Sequence, residues 1–326
     1  MIKLGIIYGG VSTEHEVSKM SAASVLENLD KTKYEVHEIF INKYGKWFEI
    51  KNGEKEELYN LIWTLKELDV VFPVLHGKYG EDGTIQGMLE ILKVPYVGCK
   101  VLASSVGMDK IATKMILKES GLPVVDYLWF YTNTYFDEKE RILNSIKEAL
   151  GFPVIVKPAN LGSSVGITSA HNLEELEEAI DNASSYAQRI LVEKMVKNLK
   201  EINCSVVGDY SENYASVCEE PIRSGDILSY ADKYGTGSKL GMAEGSFHKM
   251  PAEISDEIAN KIKKLAKLTF VTLNCSGVSR IDFLLNEKTE EVYVNEINTI
   301  PGALSYYLWE ATGKSFEKEL DEIIEI

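Results

Sequence analysis

Leu68-Asp69-Val70-Val71-Phe72-Pro73-Val74-Leu75 is a nearly continuous apolar run, and His76-Gly77-Lys78-Tyr79-Gly80-Glu81-Asp82-Gly83-Thr84-Ile85-Gln86-Gly87 follows it directly. A nearly continuous apolar run of this length suits a parallel strand buried on both faces. Working outward, Leu4-Gly5-Ile6-Ile7-Tyr8 is a second short apolar strand, ending in Gly9-Gly10, and Val36–Ile41 a third. Between them Thr13 and Glu16 have capping-box spacing, and Val17, Met20, Val25 and Leu29 follow on roughly one helical face. Strands separated by helices predict an α/β unit with a parallel sheet, which binds ligands outside the strand C-terminal ends. His76 and the segment Gly9-Gly10-Val11-Ser12-Thr13-Glu14 fall at that edge. The latter leads into a helix N-terminus, which attracts carboxylate or phosphate. A strand-end histidine also serves to cap backbone groups, so both readings of His76 stay open.

A second unit begins near Gly98. Met108 to Ser120 is predicted helical, stopped by Gly121-Leu122-Pro123. Phe152–Pro158 reads as a strand closed by proline, Asn172–Ala183 as an acidic helix and Ile190–Lys194 as a strand. A third unit carries predicted strands at Glu201–Val207, Gly277–Leu285 and Glu291–Ile297, with a helix at Ser255–Leu273. Between Glu220 and Met250 lies a polar stretch with five glycines and little periodicity. A loop of that length is either a linker or a functional lid. The expected division is 1–98, 99–192 and 193–326.

The chain has 326 residues, 45% of them hydrophobic and 26% charged, which suits two or three domains with sizeable cores. Its 35 basic and 50 acidic residues give a net charge of −15. That excess argues against nucleic-acid binding, which needs a basic field. It leaves room for an anionic ligand held by a local cluster. No apolar run approaches a membrane span, and the N-terminus reaches its Gly-Gly pair too soon for a signal peptide's apolar core. Cys99, Cys204, Cys218 and Cys275 have no CxxC spacing, so reduced buried thiols in a cytoplasmic protein are expected.

Several partial motifs fail on context. Gly313-Lys314-Ser315 lacks the leading P-loop glycine, since Leu308 stands there. His15-Glu16-Val17-Ser18-Lys19 has Lys where a zinc-protease helix needs its second His. Gly235–Gly241 is one residue too long for a dinucleotide fingerprint and follows no strand.

Two segments carry chemistry. In Arg280-Ile281-Asp282-Phe283 the strand period places Arg280 and Asp282 on one face, and Glu296 and Asn298 share a face in Asn295-Glu296-Ile297-Asn298-Thr299-Ile300-Pro301-Gly302. Side by side, the two strands converge three oxygen ligands and a guanidinium. Hard oxygen donors suit Mg²⁺ shared with substrate phosphates. The alternative is a ladder of surface charges on a hairpin. In Lys157-Pro158-Ala159-Asn160-Leu161-Gly162-Ser163-Ser164-Val165-Gly166 a lysine leads into a small, hydroxyl-rich loop whose N–H groups suit a phosphate. A plain glycine turn reads the same way.

Taken in order, these segments resemble the D-alanine–D-alanine ligases of the ATP-grasp superfamily. The resemblance spans essentially the whole chain. It rests on Gly9-Gly10-x-Ser12-x-Glu14-x-Glu16-Val17-Ser18, His76–Gly87, Met108-Asp109-Lys110, Lys157–Gly166, Arg280-x-Asp282 and Glu296-x-Asn298-x-x-Pro301-Gly302. It implies a Rossmann-like parallel-sheet (pre-ATP-grasp) domain followed by two ATP-grasp subdomains, an α/β and α+β architecture. It implies that ATP phosphorylates the carboxylate of one D-alanine, and that the amine of a second D-amino acid attacks the acyl phosphate, for peptidoglycan precursor synthesis.

By the same match, Asp282, Glu296 and Asn298 would hold two Mg²⁺ ions, with Mn²⁺ as a substitute. Lys110, Lys157, Ser164 and Lys233 would meet the ATP phosphates. Glu193, Lys194 and Val196 would meet the adenine, and Glu201 the ribose. Arg280 and the Gly302 N–H would form an oxyanion hole. Glu14 would take the first substrate's ammonium, with Val17, Ser18, His76 and Ser305 on the substrate side. Tyr234 would hydrogen-bond with Ser163 and Glu14, and its presence favours a dipeptide over an ester product. The Glu220–Met250 stretch would be the lid that shields the acyl phosphate from water. The resemblance also implies a homodimer acting on small molecules.

Two departures from the family pattern stand out. Glu193 and Glu201 are one residue further apart than usual, without the customary glycine. The segment between Gly302 and Leu308-Trp309 is about four residues short. The shortening motivates an alternative acceptor such as D-serine; a non-catalytic nucleotide-binding homologue is a third reading.

Overall fold

The computed structural model describes residues 1–162, 165–221 and 248–326. The N-terminal unit comprises β1 (Ile2–Gly9), α1 (His15–Asn28), β2 (Tyr34–Ile41), β3 (Trp47–Lys51), β4 (Glu54–Glu57), α2 (Leu61–Lys66), β5 (Val70–Val74) and α3 (Thr84–Leu92). Its sheet runs β4-β3-β2-β1-β5, with β1 parallel to both β2 and β5. The strands β3 and β4 add an antiparallel hairpin at one edge. The sequence reading did not anticipate that hairpin, and the reason is visible: β4 is Glu-Lys-Glu-Glu, exposed throughout, with no apolar alternation to mark it. At Gly9, φ is +94° and a Cβ would stand 2.2 Å from the Ile41 carbonyl oxygen, so the close approach of β1 to β2 requires glycine. Gly9 and Val74 end neighbouring parallel strands at the same edge, which brings the loops after β1 and β5 together.

The capping box expected at Thr13 and Glu16 does not form. Glu14 occupies the N-cap position without a side-chain cap, and Ser12 Oγ accepts the Glu14 N–H at 3.1 Å. Glu16 points outward to Lys19 and Lys43, which hold its carboxyl down at about 2. Capping requires the side chain to fold back over the first turn, and the two lysines draw Glu16 the other way.

The helix expected over 108–120 is α5 (Lys110–Glu119), and a further helix, α4 (Val101–Met108), precedes it. Asp109 is extended, at φ −98° and ψ 102°, and caps α5 by accepting from the N–H groups of Ile111 and Ala112. The central sheet contains β6 (Tyr127–Tyr131), β7 (Val154–Pro158), β8 (Thr168–Ala170) and β9 (Arg189–Lys194), ordered β6-β9-β7-β8 and antiparallel throughout. Its helices are α6 (Thr132–Asp137), α7 (Lys139–Ala149) and α8 (Leu173–Ser184). Leu176, Ala179, Ile180 and Ala183 bury one stripe of α8, and Asn172 caps it. Val154, Val156, Ile190 and Val192 share that core, so Ile155, Lys157, Leu191 and Glu193 face the other way. This alternation puts two charged residues on the sheet face opposite its core.

The C-terminal unit comprises β10 (Leu199–Gly208), β11 (Asn213–Pro221), β12 (His248–Lys249), α9 (Asp256–Thr272), β13 (Gly277–Asn286) and β14 (Glu291–Asn298). A left-handed turn at Gly302–Ser305 then leads into α10 (Tyr306–Thr312) and α11 (Phe316–Glu325). The antiparallel sheet order is β12-β11-β10-β13-β14. All four cysteines are buried and free. Cys204 and Cys218 are partners in register across β10 and β11.

One core joins the ends of the chain. Leu4, Ala22, Val25 and Phe72 pack with Trp309, Phe316, Leu320 and Ile323. Within α11, Glu319 is fully buried, and neither carboxyl oxygen has a hydrogen-bond partner among the described residues. Burial pushes its pKa well above the ordinary carboxyl value. The unfolded chain releases this proton near the ordinary value, and the folded chain holds it longer. The native state is therefore penalised as pH rises above the unfolded pKa. Glu319→Gln is expected to leave the melting temperature unchanged near pH 4 and to raise it by a few degrees at pH 8. Equal shifts at both pH values in thermal melts would contradict this.

Candidate active site

At the sheet edge, Glu14, His76 and Gly77 meet the loop that follows β7. A Cβ on Gly77 would lie 2.4 Å from Ser12 Oγ and 2.5 Å from Glu14 Oε2. A Cβ on Gly162 would lie 3.4 Å from the same Glu14 oxygen. The buried Glu14 carboxylate is therefore wedged between glycines of the loops after β5 and β7.

His76 is buried and bridges two distant segments. Its Nδ1 lies 2.9 Å from the Ile300 carbonyl and its Nε2 2.8 Å from Ser21 Oγ. A carbonyl only accepts, so Nδ1 carries the proton and Nε2 accepts from the Ser21 hydroxyl. Burial lowers the His76 pKa against the pull of Glu14 and the Ile300 carbonyl, which agrees with a neutral ring. Ser21 Oγ in turn accepts the Ala303 N–H at 3.0 Å. Glu81, which the sequence reading quoted but gave no role, accepts from the N–H groups of Gly77 (2.6 Å) and Ile300 (3.2 Å). Burial and the neighbouring Glu14 push it up to about 8. Together His76, Ser21 and Glu81 fix Ile300–Ala303, and hence Gly302, against the N-terminal sheet. Ser18 is committed nearby: it accepts the Gly9 N–H at 2.8 Å and donates to the Val74 carbonyl at 2.5 Å. Val17 is buried beside it in α1.

On β13 and β14 the expected convergence occurs. Arg280 is in register with Asn298, and Asp282 with Glu296. Arg280 donates twice to Asp282, from Nε at 2.7 Å and from a terminal nitrogen at 2.9 Å, and Asn298 Nδ2 donates to Asp282 at 3.2 Å. Burial disfavours the guanidinium charge, but Asp282 outweighs it and holds Arg280 firmly protonated. Lys110 Nζ lies 3.6 Å from Glu296 and donates to the Leu161 carbonyl at 2.8 Å. That lysine links the glycine-rich loop to the strand pair. Among the described residues no three His, Cys, Asp or Glu side chains gather as a metal cluster. Here the donor set is two carboxylates and an amide. Such a set fits a hard cation whose shell a phosphate substrate completes.

Across the central sheet, Glu193 is 1% exposed and lies between two lysines. Lys114 Nζ is 2.6 Å from its Oε1 and Lys157 Nζ is 2.5 Å from its Oε2. Burial would raise the Glu193 pKa, but the two cations hold it down at about 2. Lys157 also donates to Asn295 at 3.2 Å. A register shift in β14 makes that residue an extra one opposite β13, which turns its side chain toward the site. Glu201 adds to the field that raises the Lys157 pKa against burial. Lys194 and Val196 lie at the end of β9 and just beyond it. The sequence reading missed Lys114, Asn295 and Glu81; for Lys114 the usable signal was its spacing one helical turn after Lys110.

The shortened segment after Gly302 forms a left-handed turn, with φ +46° at Ala303, +54° at Leu304 and +58° at Ser305. Three successive non-glycine residues in this region are costly and persist only where packing over-determines them. Buried Leu304 supplies that packing in the shared core. Ser305 is fully buried and its hydroxyl has no hydrogen-bond partner among the described residues. Just beyond, Tyr307 donates to Glu219 at 3.1 Å, Asn203 donates to the same oxygen at 3.3 Å, and His248 pairs with the other oxygen. Nothing in the sequence reading pointed to this buried cluster. Ser163, Ser164, Lys233, Tyr234 and nearly all of the expected lid lie outside the described residues.

Comparison with known proteins agrees with this geometry. The family profile described as D-ala D-ala ligase N-terminus matches residues 3–63 and 60–99, and the one described as D-ala D-ala ligase C-terminus matches residues 116–325. The chain is 45% identical to a D-alanine–D-alanine ligase of Clostridium acetobutylicum, covering 99% of this chain and 97% of that one. It is 41% identical to one of Thermosipho africanus, covering 100% and 93%. Among solved structures it is similar to the VanG D-Ala:D-Ser ligase of Enterococcus faecalis, with a TM-score of 0.87, 31% identity and coverage of 99% and 98%. It is also similar to the D-alanine–D-alanine ligase of Coxiella burnetii, with a TM-score of 0.82, 30% identity and coverage of 100% and 94%.

Proposed function

The chain belongs to the D-alanine–D-alanine ligase family, and we propose that it joins two D-alanines at the expense of ATP, through an acyl phosphate. The observation that carries this reading is the linkage of Lys110, Lys157, Arg280, Asp282, Glu296 and Asn298 through contacts between the glycine-rich loop and the β13–β14 pair, with Glu14 beside the same loop at Gly162.

In this reading the buried Glu14 carboxylate takes the ammonium of the first D-alanine and orients its carboxylate toward the γ-phosphate. Lys110 and Lys157 neutralise the phosphates from the side of the glycine-rich loop. Phosphoryl transfer needs alignment and charge neutralisation more than a covalent catalyst, and this set supplies both. The amine of the second amino acid then attacks the acyl carbon. Arg280, held in place by the two hydrogen bonds it donates to Asp282, faces the negative charge that develops on the carbonyl oxygen. Asp282, Glu296 and Asn298 would hold Mg²⁺, which when bound screens the phosphate charge. The brace of His76, Ser21 and Glu81 keeps Gly302 beside that oxygen.

The acceptor is settled by the product. Pure protein with ATP, Mg²⁺ and D-alanine is expected to release phosphate and form D-alanyl-D-alanine, identified by mass spectrometry. With D-serine supplied as well, the D-Ala-D-Ala product should still dominate. A mixed dipeptide alone would move the chain to another acceptor, which the left-handed turn at Ala303–Ser305 makes the competing reading. No amino-acid-dependent phosphate release would overturn both.

A further inference from the structure

We propose that Lys114 is a positioning residue for the nucleotide base: it keeps the Glu193 carboxylate charged and oriented when Lys157 turns from Glu193 to a nucleotide phosphate. The inference rests on the ATP-binding reading of this cleft and deepens it.

Glu193 and Lys114 are each 1% exposed, and they lie on β9 and α5, 79 positions apart in the chain. Each Glu193 oxygen has its own lysine, at 2.6 Å from Lys114 and 2.5 Å from Lys157. The two lysines are not equivalent. Lys157 also reaches Asn295 on β14, next to Glu296, so its ammonium bridges from Glu193 on β9 to the strand that carries the proposed metal ligands. Lys114 pairs with Glu193, and although burial lowers its pKa, Glu193 and Glu296 both favour its charged form. It sits one turn into α5, whose start is pinned by the Asp109 cap, by Arg189 on Asp109, and by the Lys110 N–H on the Ala159 carbonyl at 2.8 Å. The side chain one turn earlier, Lys110, is the one directed at Glu296.

A phosphate arriving at the metal end competes with Glu193 for Lys157. Were Lys157 the only partner, its departure would strand a buried carboxylate without a counter-charge, which proteins avoid by protonating the group. Lys114 removes that conflict, because Glu193 keeps one cation throughout. The consequence for recognition is chemical. A charged carboxylate only accepts, so it takes the exocyclic amine of adenine. The carbonyl that hypoxanthine carries at that ring position offers no proton. A protonated Glu193 would donate to that carbonyl and lose the distinction. Lys114 thus maintains both affinity for ATP and selectivity against inosine triphosphate.

The test compares Lys114→Met with the unchanged enzyme in steady-state ligation, with folding checked by circular dichroism. We expect the KM for ATP to rise about ten- to a hundred-fold, the KM for D-alanine to stay within about threefold, and the ATP-over-ITP preference to fall by about tenfold or more. A KM for ATP within threefold of the unchanged enzyme, or a loss confined to kcat, overturns the proposal. Glu193→Gln and Glu193→Gln/Lys114→Met provide the second arm and serve alone if the single Lys114 variant does not fold. With no charge at 193, the two should bind ATP alike, and a further tenfold weakening on adding Lys114→Met overturns the proposal. Calorimetric titration of the unchanged protein with ATP separates the two levels: no binding there defeats the ATP reading itself, whereas binding that survives Lys114→Met unchanged defeats only the role of Lys114.

Discussion

Asp282→Ala is expected to lower the rate of D-alanine-dependent phosphate release by about three orders of magnitude or more, while leaving the fold intact by circular dichroism. Three effects meet at this one side chain. It accepts both N–H groups that orient Arg280 and the Asn298 amide, and it pairs in register with Glu296. Without it the guanidinium loses the contact that aims it, and the buried cation is left to find Glu219, whose field it already feels. The proposed Mg²⁺ donor set also falls from two carboxylates to one. Asp282→Asn separates these contributions, because it restores the shape and one acceptor but not the charge. We expect it to recover protein stability and not the rate. Activity within about tenfold of the unchanged enzyme in either variant would remove Asp282 from the reaction.

Trp309→Ala is expected to destabilise the protein by about 3–5 kcal/mol, within the range for truncating a buried tryptophan. For a chain of this size that lowers the melting temperature by roughly 4–7 °C. Trp309 is 1% exposed, donates its indole N–H to Ser205 at 3.1 Å, and carries Lys314 4.8 Å above its ring. Its helix packs on β10, β11 and α11, and Trp309 belongs to the core that also takes residues from β1, α1 and β5. The cavity would therefore open between β10 and the C-terminal helices, inside the core that both ends of the chain share. Trp309→Phe keeps most of the volume and loses only the hydrogen bond, so its cost should be about 1 kcal/mol. Equal melting temperatures for Trp309→Ala and the unchanged protein would show that this core does not unite the units.

Much of the architecture is legible because its signals are local. The runs at Leu4–Tyr8 and Leu68–Leu75 are apolar apart from Asp69, and each coincides with a parallel strand. Asn172 and Ser255 each cap the helix that follows them. Arg280, Asp282, Glu296 and Asn298 are spaced by two on strands that register side by side, so strand periodicity alone put them on one face. Where the reading failed, local chemistry was ambiguous. Glu16 has the spacing of a capping box but prefers two lysines, and the exposed charges of β4 carry no alternation that would mark a strand.

The residue pattern determined the alternation of strands and helices, the order of the ligand-bearing segments and the identity of the charged groups on β13 and β14, since each depends on neighbours a few positions apart. Tertiary structure alone decided which of those groups became partners. Lys114 meets Glu193, His76 meets Ile300, and Tyr307 meets Glu219 across dozens to hundreds of residues. A buried charge or imidazole is tolerable only once its counterpart has been folded against it, and that counterpart is chosen by the packing of whole elements rather than by any spacing along the chain.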